Sequence, residues 1–133
     1  MPPESGVGLT PETAVCRIGG GSIANLRLKP AQEALRPPGF SVLLGGAPGD
    51  AAEQMRQAFP DPRKFARLHL LAETVGTATV AAIRAAGFDV LPDPSTKFPN
   101  HARIINPGGV AGFSDANLER LARAFTDTPT PGR

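Results

Sequence analysis

The chain has 133 residues, with 14 Lys and Arg against 12 Asp and Glu, 15 Gly, 15 Pro and a pI near 9.2. That length holds one domain with a buried core and excludes two independent ones. The mild positive charge is scattered through the chain, which suits a phosphate-bearing ligand and not duplex DNA.

Trp and Tyr are absent and 7 Phe supply all the aromatic mass, so the usual stacking platform for single-stranded nucleic acid is missing as well. A single cysteine, Cys16, rules out an internal disulfide and reads as a small buried apolar residue. No set of Cys and His has metal-ligand spacing, so no metal is expected. No apolar run approaches the ~20 residues of a membrane helix, and the start "MPPESGVGLTPE" has neither the basic nor the apolar part of a signal peptide. The expectation is a cytoplasmic protein without membrane contact, with signal-less secretion into a target cell left open.

Residues 1–13 and 127–133 are rich in Pro, Gly, Ser and Thr and are expected to be mobile ends around one domain at 14–126. "TAVCRI" (13–18) reads as a strand, ended by Gly19-Gly20-Gly21. "NLRLKP" (25–30) alternates Leu26 and Leu28 with Arg27 and Lys29, the pattern of a short half-exposed strand. "PPGFSVLLGG" (37–46) sets a compact apolar strand between two turns.

Three helices follow in the expectation. "GDAAEQMRQAF" (49–59) carries Ala52, Met55 and Phe59 at helical spacing until Pro60 stops it, and "PRKFARLHLLAETV" (62–75) puts Phe65, Leu68, Leu71, Ala72 and Val75 on one face. A helix over 77–86 closes at Gly87 and leads straight into a strand, "FDVLP". "HARIIN" (101–106) is a further strand. In "GFSDANLERLARAF" Ser114 caps a last helix whose Leu118, Leu121 and Phe125 form the buried stripe. Strands and helices do not alternate strictly, so the chain reads as α+β: a single domain with a small antiparallel or mixed sheet and three to four packed helices.

Few polar residues stand where chemistry is easily built. Arg17 closes an apolar strand just before the glycines, where a guanidinium suits bidentate recognition of phosphate and Gly19 permits close approach. "IGGGSIAN" lacks both the P-loop ending and the third glycine of a dinucleotide fingerprint. Ser41 faces away from Phe40 and Val42 and is free to line a pocket or bond a neighbouring strand. Asn100 and His101 follow Pro99 at a strand mouth, on restrained backbone; the imidazole is a candidate acid or base, and the amide can orient a ligand or close its own turn. His69 lies within a helix and reads as structural. Asp89 and Asp93 are the nearest acids to a strand end, with Asp93 between prolines in a turn.

The succession "VCRIGGGS", "PPGFSVL", "FDVLPDP" and "PNHARIINPGG" before a short amphipathic helix resembles the small bacterial ADP-ribosyltransferase-like toxin domains, including effectors and members of toxin-antitoxin pairs. The resemblance implies NAD as substrate, held by Arg17 and Gly19, with Ser41 lining the nicotinamide pocket and an antitoxin or immunity protein as partner. The late strand carries Asn100 and His101 where such transferases carry Glu, which makes those two the candidate catalytic residues. Three readings stay open: an NAD-using transferase or glycohydrolase, a metal-independent ribonuclease toxin built on His101 with Arg17, Arg103 or Lys97, and a non-enzymatic binding module of a toxin-antitoxin or effector-immunity pair.

Overall fold

The protein is described by a computed structural model covering residues 9–131. Its centre is a sheet of six strands: β1 (Ala14–Ile18), β2 (Gly39–Leu44), β3 (Thr74–Thr79), β4 (Asp89–Pro92), β5 (His101–Ile105) and β6 (Thr126–Pro129), in the order β4-β5-β2-β1-β3-β6. Every neighbouring pair is antiparallel. Between the strands lie the single turns α1 (Ile23–Leu26) and α2 (Pro30–Glu33), the helices α3 (Pro48–Ala58), α4 (Ala66–Leu71), α5 (Val80–Ala85) and α6 (Asp115–Ala122), and a 3-10 segment at Gly109–Phe113. The α+β class and the mostly antiparallel sheet agree with the sequence reading.

Strand alternation divides the core in two. Val15, Phe40, Val42, Ala78, Val90, Ala102 and Ile104 face one side, where Val80 and Ile83 of α5, Leu118 and Leu121 of α6, and Phe113 close over them. Cys16, Leu43 and Val75 face the other, under Ala51, Ala52 and Met55 of α3 and Ala72 beside α4. The expected stripe on the last helix holds: Leu118 and Leu121 are fully buried, and Phe125 packs partly buried against the same cluster. Ser114 caps that helix, its hydroxyl accepting from the Asn117 N–H.

Five expectations need correction. Residues 25–30 are not a strand: the Asn25 side chain donates to the Ile18 and Gly20 carbonyls, folding the chain back on the glycines so that Leu26 is buried from a helical turn. The expected helix over 62–75 spans only Ala66–Leu71, and the one over 77–86 starts at Val80; β3 lies between them, where the β-branched Thr74, Val75, Thr77 and Thr79 favour extended pairing over helix.

Within the expected mobile segment 127–133, Thr126–Pro129 pair with β3 as an edge strand and the Asp127 carboxylate accepts from the Gly21 N–H at 2.8 Å, while residues 132–133 lie outside the described residues. At the other end, residues 1–8 of the expected mobile segment lie outside the described residues, whereas 9–13 are tied in. Leu9 packs on the larger core cluster, and the Ala81 N–H donates to the Pro11 carbonyl at 3.0 Å.

Candidate functional site

The sheet is split at its centre. β1 and β2 pair only at Val15 with Leu44 and Cys16 with Leu43, although β2 runs on to Gly39 and stays paired with β5 along its length. Beyond Cys16 the two strands part because the glycines turn the chain away: Gly19 and Gly20 adopt φ of +96° and +94°, backbone that a side chain disfavours. Asn25 then takes the Ile18 carbonyl that would have faced β2.

Arg17 fills this split. By alternation it belongs to the Val15 face, and its guanidinium stands 4.7 Å from the Phe40 ring centroid of that face. It reaches through the gap, donating from Nη1 to the Ser41 carbonyl (2.8 Å) and from Nε and Nη2 to the Asn25 carbonyl (3.1 and 2.7 Å). These bonds occupy one N–H on each of its nitrogens and leave one on Nη1 and one on Nη2. No carboxylate stands within ion-pair distance of it among the described residues. Burial without a counter-charge pushes the guanidinium down to about 10. It is still a cation at neutral pH.

The split opens on a cleft of about 510 Å³ on the Cys16 face of the sheet. The sheet contributes Cys16, Ile18, Ser41, Leu43 and His101; Asn25, bonded to Arg17, lines it with Lys29 and Gln32; Met55, Phe59, Leu68 and Leu71 add apolar side chains; and the β4–β5 loop adds Asp93, Ser95 and Phe98. Arg17, Ser41 and His101, 84 residues apart at the extremes of the sequence, therefore share one cavity.

His101 is held with a defined orientation. Its Nδ1 lies 2.9 Å from the Asp93 backbone carbonyl, which can only accept, so Nδ1 carries the proton and Nε2 of the neutral ring carries a lone pair. The Asp93 carboxylate is 3.6 Å from the same Nδ1 and 3.3 Å from Arg103 Nε, within ion-pair range of both but off hydrogen-bond alignment with the latter. Arg103 also donates to the Pro37 carbonyl and is only 9 % exposed. The acid at the cleft is thus Asp93, placed beside His101 by the β4–β5 hairpin; two residues paired across a hairpin whose strands were each predicted is the signal that singles it out over Asp89. Asp89 instead pairs with Arg84 on the surface.

Two predicted site residues do not line the cleft. Asn100 spends its amide on the fold: Nδ2 donates to the Leu44 carbonyl (3.0 Å) and to Gln54 Oε1 (3.1 Å), and Oδ1 accepts from Gln54 Nε2 (2.6 Å). It locks the start of β5 to the end of β2 and to α3. Gly19 bonds the Thr74 carbonyl through its N–H at 2.8 Å, and a Cβ there would sit 2.8 Å from Asn25 Nδ2, so its role is the turn that opens the split. Cys16 is fully buried in the floor; burial pushes its thiol up, and the Thr77 hydroxyl on the facing strand opposes this more weakly. His69 is structural as expected, its Nε2 2.6 Å from the Phe59 carbonyl. No group of three or more His, Cys, Asp or Glu suited to a metal occurs among the described residues, and no helix there is long and apolar enough to cross a membrane.

Comparison with family models, with curated proteins and with solved structures gives no match.

Proposed function

We propose that the cleft binds NAD through a phosphate at Arg17 and breaks the bond between nicotinamide and ribose, transferring the ADP-ribosyl group to water or to a nucleophile on a target. One observation carries the reading: a covered guanidinium whose partners are all neutral carbonyls, facing a cavity that also holds His101. An anion there replaces the water that burial removed, and Lys29, which also lines the cleft, adds a second positive charge to it.

In the proposed reaction the C1′–N bond breaks and its electron pair leaves with the nicotinamide nitrogen, which becomes neutral. The ribosyl carbon gains the oxygen of the attacking group, and the proton of that group passes to His101 Nε2 and on to solvent. The Asp93 carboxylate supplies negative charge near the oxocarbenium-like carbon, the part played by Glu in the domains this chain resembles. Such an enzyme would act in the cytoplasm, where NAD is used, and would call for an antitoxin or immunity partner in its own host.

Melting of the full chain with and without millimolar NAD tests this. NAD is expected to raise the melting temperature by mass action. Arg17→Met, verified as folded by its own melt, is expected to lose the shift. His101→Gln is expected to keep it while nicotinamide release falls about 100-fold or more. Absence of both shift and release overturns the proposal. RNA cleavage that needs His101 and ignores NAD selects the ribonuclease reading instead, and silence in all these assays leaves the binding module.

A further inference from the structure

β6 differs from the other strands in what holds it. It is an edge strand paired to β3 alone, three of its four residues are exposed, and none of them belongs to either core cluster. Besides the ladder to β3, its attachment is polar and falls at two points.

At the first, the Asp127 carboxylate accepts from the Gly21 N–H at 2.8 Å and lies so close to the glycines that a Cβ on Gly20 would stand 3.0 Å from its Oδ2. This is the turn that parts β1 from β2 beside Arg17. At the second, just past the strand, Thr130 donates its N–H to the Glu73 carbonyl at 2.7 Å and its hydroxyl to the Ala72 carbonyl, while its own carbonyl accepts from Arg56 Nη2 of α3. Arg56 follows Met55, which lines the cleft and shares the smaller core cluster with Cys16.

The second attachment is a bridge and not a packed interface. A groove of about 340 Å³ is lined by Gly49 and Glu53 of α3 and by Thr128 and Pro131 on the strand side, and Arg56 reaches across to Thr130. The bridge also carries a cost, because Arg56 Nε is buried with no hydrogen-bond partner among the described residues. An element with few apolar contacts opens locally at less cost than the whole fold.

We infer that β6 is a releasable strap that closes the floor of the cleft. Docked, it holds the glycine turn through Asp127 and α3 through Thr130. Released, it frees both together and exposes Cys16, while the core on the Val15 face stays folded. Release involves no ligand and is separate from NAD cleavage.

Cys16 is the only cysteine and is fully buried, so its alkylation by N-ethylmaleimide in the full chain, followed by mass spectrometry at a fixed pH, reads the opening. Arg56→Met removes the bridge and keeps the apolar stem. It is expected to speed alkylation about tenfold, the loss of one charge-assisted bond, and Asp127→Ala is expected to speed it as well. Arg56→Met is further expected to speed amide exchange at Gly21, which Arg56 does not bond, because both attachments sit on one strand. Ile83→Val is the control: it trims a fully buried side chain on the Val15 face and is expected to leave alkylation within about twofold while lowering stability in denaturant.

Alkylation that rises with Ile83→Val as much as with Arg56→Met would mean that Cys16 is reached only by global unfolding, and no strap then exists. An unchanged rate in Arg56→Met, or unchanged exchange at Gly21 in that variant, overturns the strap equally. Should Arg56→Met fail to fold, Thr130→Val, which removes only the hydroxyl bond to Ala72, carries the same expectations at smaller size.

Discussion

The two faces of the sheet are built to different standards. On the Val15 face, α5, α6 and the 3-10 segment close a core in which Phe40, Ile83, Ile104, Leu118 and Leu121 are fully or almost fully excluded from water. Phe113 links that core in edge contacts to Phe40 and Phe88 at 6.2 and 5.3 Å. On the Cys16 face α3 and α4 cover only part of the strands, and the remainder is the cleft. The lesson is a division of labour: one side supplies stability and leaves the other free to carry polar groups that a closed core would not tolerate.

The two arginines near the cleft draw the same contrast on a smaller scale. Arg103 has the Asp93 carboxylate beside it and a carbonyl to bond, so its charge is answered within the fold. Arg17 has carbonyls alone. Arg56 likewise bonds only carbonyls, those of Ala72 and Thr130, so what sets Arg17 apart is that it lines the cleft together with His101.

The sharpest way to break the comparison of faces is to cut into the closed one. Leu121→Ala removes a fully buried side chain at the centre of the larger cluster and is expected to cost about 2–5 kcal/mol in denaturant unfolding. A loss under about 0.5 kcal/mol would mean that the α6 stripe is solvated, and the division between the faces would then fail.

That stripe was readable from sequence because α6 combines an N-cap, a 3.6-residue apolar period and no competing signal. Where two signals overlapped, reading failed. Val75 fits the apolar face of the preceding helical run, but it sits among threonines whose branching commits them to β3. Leu26 and Leu28 alternate as a strand would, yet no neighbouring edge exists for them, and the Asn25 side chain decides for a turn.

The site followed the same rule. Arg17 and His101 are identifiable as polar residues at apolar strand ends, and Ser41 as a polar residue alternating with Phe40 and Val42 inside one. Asn100 had the same local signature, and only the long-range partners Gln54 and Leu44 assign its amide to the fold.

A smaller effect is expected at the sheet edge. Asp127 on β6 receives the Gly21 N–H, and Gly76 opposite it admits no Cβ without a contact of 2.8 Å to the Gly21 backbone nitrogen. Asp127→Ala leaves that N–H without its partner and is expected to cost about 1–2 kcal/mol. It is also expected to loosen the glycine turn that opens the split, seen as faster amide exchange at residues 19–21. An unchanged stability with unchanged exchange would show β6 to be an ornament of the edge and not an anchor of the site.

The smallest expected effect lies in alkaline solution, where the floor of the cleft reports on its own dryness. Cys16 is fully buried and its thiol is raised from an ordinary value of 9.0, mainly by desolvation. The native state therefore resists ionisation that the unfolded chain undergoes freely. Stability from this group is complete well below pH 9 and is lost progressively as pH rises through it, where half of the unfolded thiols are ionised. Arg17, lowered to about 10, works with the opposite sign, since its buried charge is a cost that lifts only as pH rises beyond that value. The two are separated by comparing the stability of the unaltered protein with Cys16→Ala from pH 7 to 10. The difference is expected to be flat to about pH 8 and then to fall, whereas a flat difference throughout would mean that water reaches the floor and that the cleft extends under the sheet.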